Sequence, residues 1–310
     1  MNKSAFVRNL KRNWIFYALF VPIFVYYLLF HYKPLAGAVI AFKDYRFGDI
    51  WAAPWASTGG EIDLLKHFRR FLTNGEFERV FSNTVILAAL RICVGFPAPI
   101  ILALMLNELR NEKFKRVLQT VSYLPHFVSF VIVYAVMYNF FSYEGAINQF
   151  LGMFGQDPQL FLGNPDLYRG IFVFMDVWKG VGWSSIIYLA ALSRVNMELY
   201  EAADLDGATR FQKIIYITLA ELRPLISMQL ILTMGSLFSV SLNQTMVMMN
   251  RMVAPVAEVI SYYVYNVGLA ASNQFSYGTA VGLFNSMLSL ILVLTTNWIS
   301  KKIDEEGGLW

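Results

Sequence analysis

Long apolar runs alternate with short polar intervals along the chain, and the runs have the length of bilayer-crossing helices. A helix needs about 20 mainly apolar residues to cross roughly 30 Å of hydrocarbon. Six stretches meet that requirement, approximately 14–30, 84–106, 117–141, 168–192, 214–240 and 277–299. The fifth is overlong, so its first turns are expected outside the hydrocarbon. The pattern predicts an all-α polytopic membrane protein with six transmembrane helices in a single domain over residues 1–310. Neither an internal repeat nor a low-complexity tract interrupts it.

Composition agrees with the pattern. Of 310 residues 57% are hydrophobic and 15% charged, and the mean hydropathy is +0.48, outside the range of a soluble domain. In such a chain the net charge of +4 reports topology before it reports acidic partners, and no nucleic-acid partner is expected. Cys93 has no second cysteine to pair with and is expected as a small core residue. His31, His67 and His126 lack any metal-ligand spacing. Lys3, Arg8, Lys11 and Arg12 before an apolar run resemble a secretory signal, but no small-x-small cleavage site precedes His31, so the run is expected to stay as a span.

Basic residues set the orientation. Counting Lys and Arg on the two sides of the six stretches gives 14 on one side, in the N-tail, 110–116, 194–223 and Lys301–Lys302, and nine on the other. Seven of the nine lie in the long interval 31–79, and long loops cross with less regard to charge. Both termini are therefore expected in the cytoplasm. The extracytoplasmic loop 31–79, with Trp51, Pro54, Trp55 and Gly59-Gly60, is expected to form a small ordered cap, either a lid on the spans or a docking surface. Residues 257–269 suggest a short amphipathic helix at the outer interface.

The segment 196–224, between the fourth and fifth stretches, carries the most specific signal. It reads as two short helices bent at Gly207, with Asn196 as N-cap and Glu198 at the positive end of the helix dipole. In the second helix Phe211, Ile214, Ile215, Leu219 and Leu222 recur at helical spacing as one apolar face. Ala202, Ala203 and Ala208 flank the bend and let another surface approach closely. On residues alone this fits an interfacial helix pair or a docking element. Glu201-Ala202-Ala203, then Asp206-Gly207-Ala208, with Ile217 and Leu219 following and Pro224 closing, resembles the "EAA" signature of binding-protein-dependent ABC importer permeases. Tyr32-Lys33-Pro34, the stretch 41–45 and the stretch 123–129 are similar to the sugar-importing branch. One departure is Leu219-Ala220, where the signature usually has Leu-Pro, so the second helix is expected to run smoothly into the fifth span.

The resemblance implies the type I importer permease fold in a bacterial cytoplasmic (inner) membrane. It implies a coupling loop, 196–224, that lies on a separate ATPase and moves when the ATPase dimer closes. Glu201, Ala202, Ala203, Asp206, Gly207 and Ala208 are the residues carried over to that role. It also implies a second permease subunit making a heterodimer, two ATPase subunits, an extracytoplasmic solute-binding protein and an oligosaccharide substrate. The sequence contains no Gly-x-x-x-x-Gly-Lys-Ser/Thr loop, so ATP and Mg belong to the partner and this subunit is not itself an enzyme. An amino-acid or peptide importer of the same class, or a secondary transporter, is the alternative.

Charged groups inside a membrane are costly and are kept for pairing or function. Arg91 falls in the second stretch, and Asp176 with Lys179 in the fourth stand three residues apart. Either Asp176 and Lys179 neutralise each other, or these residues line a pathway with Asn139, Trp178, Trp183, Asn243, Gln244 and Asn285. Aromatic and amide groups suit sugars, whose ring faces stack while their hydroxyls take hydrogen bonds.

Overall fold

The computed structural model describes residues 12–303; Lys3, Arg8 and Lys11 of the basic N-tail lie outside the described residues. Among the described residues six helices are long and apolar enough to cross a membrane: Trp14–Phe42, Glu76–Asn107, Phe130–Gly152, Pro165–Leu192, Arg210–Gly235 and Phe275–Lys302. They are called the first to sixth spans below.

The third span differs most from the pattern-based expectation of one helix over 117–141. A helix Glu112–Tyr123 gives way to a tight turn, Leu124–Phe127, and the crossing helix starts at Phe130. Pro125 lacks an N–H to continue the ladder. Val128 and Ser129 are then extended, and the Ser129 hydroxyl caps the new helix by accepting from the Ile132 N–H.

Two other spans are longer than expected. The first continues past residue 30 to Phe42 and absorbs Pro34 through a π turn, Leu28–Tyr32. The second opens at Glu76, where Glu76 and Glu78 favour the positive helix end, and passes a π turn, Arg91–Gly95, just before Pro97. In both, the carbonyl left without its proline donor lies within the wider turn. Cys93 sits on the outside of the second of these turns and is exposed, not a core residue.

The chain divides into two compact units, residues up to Leu72 with Val267–Leu283, and Thr73–Asn266 with Phe284 onward. In the first, the helix from Trp14 to Tyr32 buries none of its residues. Beyond it lies an ordered cap. A hairpin pairs Ser57–Thr58 with Glu61–Ile62, and the helix Lys66–Thr73 follows. Asp44 organises the cap: its carboxylate accepts from Lys66 Nζ at 2.8 and 2.9 Å and from the Ser57 N–H at 3.3 Å, and lies 3.2 Å from His67 Nε2. Burial pushes its pKa up, but Lys66, the Ser57 amide and His67 outweigh that and hold it below the ordinary carboxylate value. Lys43, only 4% exposed, donates to the Ile50 and Trp51 carbonyls and lies over the Trp55 ring.

The second unit holds the main core, in which Leu87, Val133, Met137, Phe172, Met175 and Val259 are buried together. The fourth span begins with a strong signal: Asn164 accepts from the Asp166 N–H, and Pro165 stands at the first helical turn. Polar groups on one face of the second span bind the stretch 254–260. Asn83 donates to the Pro255 and Glu258 carbonyls, and the Ile260 N–H donates to Thr84. That stretch is therefore core rather than interfacial. The helix expected over 257–269 starts instead at Ile260, after extended Glu258 and Val259, and Ile260 and Val259 are fully buried.

Candidate functional sites: a capped bend and a membrane-embedded cleft

Between the fourth and fifth spans a short helix, Met197–Leu205, is followed by a bend and the start of the fifth span at Arg210. Asn196 caps the helix by accepting from the Glu198 N–H at 3.0 Å. Gly207 has φ +76, a left-handed conformation that closes the helix and that side chains with a Cβ rarely adopt. Thr209 and Gln212 form a reciprocal capping box that starts the next helix. Lys213 bridges back to Asp204 at 2.6 Å, and the Tyr200 and Thr218 hydroxyls meet at 2.9 Å. The two helices are thus clasped to each other.

Glu201, Ala202, Asp206 and Gly207 are exposed, and Ala203 and Ala208 are half-buried. Glu201 has no hydrogen bond or ion pair among the described residues. The apolar face expected at Phe211, Ile214, Ile215, Leu219 and Leu222 is divided by a π turn, Ile214–Thr218, which rotates the helix. Thr218 and Leu222 are buried, whereas Ile215 is exposed and Phe211 is 71% exposed. With Leu205 at 90% and Tyr216 at 74%, Phe211 leaves large apolar side chains in the open beside the bend. The helix runs on without interruption through Ala220, and Pro224 is accommodated inside it.

Deeper in the second unit the second, fourth and fifth spans enclose a cleft of about 520 Å³. Arg91 Nε donates to Asp176 Oδ2 at 3.0 Å on one wall. Asp176 makes its direct ion pair with Arg91, and none with Lys179. Lys179 points toward the break in the third span, donating to the His126 carbonyl at 2.6 Å and the Pro125 carbonyl at 3.4 Å. The Pro125 carbonyl also accepts from the Val128 N–H at 3.2 Å, and the His126 carbonyl, at the end of the turn, takes the Lys179 cation as its donor. One turn on, Trp183 stacks on His126 with ring centroids 4.6 Å apart and planes 5° from parallel, and its indole also lines the cleft. Gly182 makes this approach possible: a Cβ there would overlap the Ser122 carbonyl.

Of the pathway candidates, Arg91, Asp176 and Trp183 line the cleft and the other six do not. Gln244 is fully buried and donates to the Phe172 carbonyl at 2.8 Å, so it packs the core. Asn139 is exposed and turns back on the Ala135 carbonyl of its own helix; Asn243 and Trp178 are exposed as well. Asn285 reaches the Phe238 carbonyl at 3.5 Å. The cleft also gathers Gln229, Thr233 and Ser236, which the sequence reading passed over. Their spacing of four and three residues in an otherwise apolar span was the available signal.

Six apolar spans, a polar cleft among three of them and a clasped, exposed bend between the fourth and fifth define a polytopic membrane protein with a polar interior cleft. The chain belongs to the family of binding-protein-dependent transport system inner membrane components, which matches residues 95–305. It is thus a multi-pass, non-catalytic permease subunit of an ABC importer, with ATP hydrolysis on a separate chain. Protein LplB of Bacillus subtilis (strain 168) is 40% identical over 96% of this chain and 92% of its own length. The polygalacturonan/rhamnogalacturonan transport system permease protein YteP of the same organism is 39% identical over 98% and 93%. A chain in the crystal structure of a bacterial ABC transporter involved in the import of the acidic polysaccharide alginate is 36% identical, with a TM-score of 0.88 over 97% of this chain and 99% of that one.

Proposed function

We propose that this subunit passes oligosaccharides carrying uronate carboxylates into the cytoplasm, and that the bend at Gly207 couples it to the ATPase. The observation that carries the substrate reading is the make-up of the cleft. Trp183 offers a flat face to a sugar ring, Gln229 and Thr233 offer groups to its hydroxyls, and Arg91 offers a guanidinium to a carboxylate. The similarity to a polygalacturonan/rhamnogalacturonan permease and to an alginate importer supports an acidic substrate over a neutral one.

In this reading both termini and the segment 196–224 face the cytoplasm, and 31–79 faces outward to meet a solute-binding protein. Glu201 pairs with a basic group of the ATPase, Gly207 holds the bend, and Ala202, Ala203 and Ala208 permit close contact. Leu205 and Phe211 gain an apolar cover when the ATPase docks. Asp206 helps end the first helix beside the bend. A second permease subunit completes the pathway, since one six-span chain encloses only a modest cleft, and two ATPase subunits drive it.

The test is uptake by the complex, purified with its co-encoded partners and reconstituted in lipid, of a galacturonate trisaccharide against a galactose trisaccharide, each delivered by the binding protein. Uptake and ATPase stimulation by the galacturonate alone is expected. Preference for the neutral sugar contradicts the acidic reading, and response to neither contradicts the saccharide reading.

A further inference from the structure

We infer that Arg91 is the group that reads the substrate's carboxylate and that Asp176 is the residue that aims it; this rests on the acidic-oligosaccharide reading above. A guanidinium has five N–H donors in a rigid fork. Here a single one is committed, Nε to Asp176 Oδ2 at 3.0 Å. Nη1 is buried without a partner, and among the described residues Arg91 makes no second hydrogen bond or ion pair.

Neutralisation alone does not account for that geometry. Two opposite charges kept in a membrane only to cancel are best satisfied when fork meets carboxylate through two parallel hydrogen bonds, which leaves fewer donors stranded. Asp176 instead holds Arg91 by Nε and leaves both Nη groups without a partner; Nη1 is buried and Nη2 is not, in a residue that lines the cleft. The nearest other candidate cation, Lys179, is occupied by the His126 and Pro125 carbonyls and does not line the cleft. Trp183 and Gln229 on the same cleft supply the ring platform and a hydroxyl partner. A uronate residue stacked on the indole then presents its carboxylate to a guanidinium already oriented.

The experiment compares Arg91→Gln, Asp176→Asn and the double variant Arg91→Gln/Asp176→Asn in the reconstituted complex, with the binding protein loaded with galacturonate trisaccharide. A charged hydrogen-bonded contact of this kind is worth about tenfold or more. Arg91→Gln is expected to lower galacturonate uptake by about that factor. Asp176→Asn keeps the cation and is expected to lose less. The double variant has no unpaired charge, so a purely structural pair would be rescued in it; the inference expects uptake to stay as low as in Arg91→Gln. Wild-type uptake in the double variant would overturn the roles given to Arg91 and Asp176 and leave the substrate reading standing. A wild-type complex that takes up the neutral trisaccharide and not the galacturonate would remove both together.

Discussion

Around the bend, from Asn196 to Thr218, the backbone is shaped by bonds between near neighbours: Asn196 to the Glu198 amide, Thr209 with Gln212, Lys213 to Asp204. At the cleft the central bond joins residues 85 apart, and the Trp183–His126 stack and the Lys179 contacts link separate helices. The bend keeps its shape because its own sequence dictates it, which suits the coupling role proposed for it. The cleft keeps its shape only as long as three helices stay in register, which suits the substrate path proposed there. Changes to the bend should therefore act on coupling, and changes near the cleft on assembly.

The largest effect is expected where the fourth span touches the helix Glu112–Tyr123. Gly182→Leu places a side chain against the Ser122 carbonyl, and overpacking of that kind costs about 3 kcal/mol or more. A lower unfolding midpoint in detergent and loss of the folded monodisperse species check it; an unchanged midpoint would mean the two helices are not held in this contact.

A change of intermediate size is expected at the bend. Gly207→Val forces a β-branched residue into the left-handed region, at about 1–2 kcal/mol, while Gly207→Asn costs less. Open space surrounds the position, so crowding does not contribute. Both variants should insert normally, and the valine should reduce ATPase stimulation more than the asparagine. Equal effects would remove the conformational argument.

The smallest effect belongs to the outer cap and depends on pH. Because the folded pKa of Asp44 lies below its unfolded value, its contribution is fully present above about pH 4 and is lost as pH falls through the folded value. The carboxylate is partly exposed, so the contribution is below about 1 kcal/mol. Lower amide protection factors in Lys66–Thr73 at low pH in the wild type, after correction for the slower intrinsic exchange there, with a flatter profile in Asp44→Asn, are the expected result.

The same contrast governs what could be read before any fold was known. Asn196, Gly207 and the two short helices were readable because capping and turn chemistry are local. Even there the π turn at Ile214–Thr218 escaped notice, and with it the outward turn of Phe211, since one extra residue in a turn leaves no mark on apolar spacing. At the cleft the sequence singled out Arg91, Asp176 and Lys179 by the cost of charge in hydrocarbon, but proximity along one helix did not reveal that the direct partner of Asp176 is Arg91. Lys179 goes to the His126 carbonyl at the end of the turn Leu124–Phe127, a demand visible only once that turn is known. Asn139 and Gln244 look like pathway residues by type, yet one bonds its own helix and the other fills the core.

The most direct test of the account is the ATPase rate of the reconstituted complex carrying Glu201→Lys, with and without sugar-loaded binding protein. Normal insertion of the variant with a loss of stimulation of about tenfold or more is predicted, because the pair proposed between Glu201 and a basic group of the ATPase would be replaced by repulsion. Wild-type stimulation in Glu201→Lys would contradict the central claim that this bend couples the permease to its ATPase.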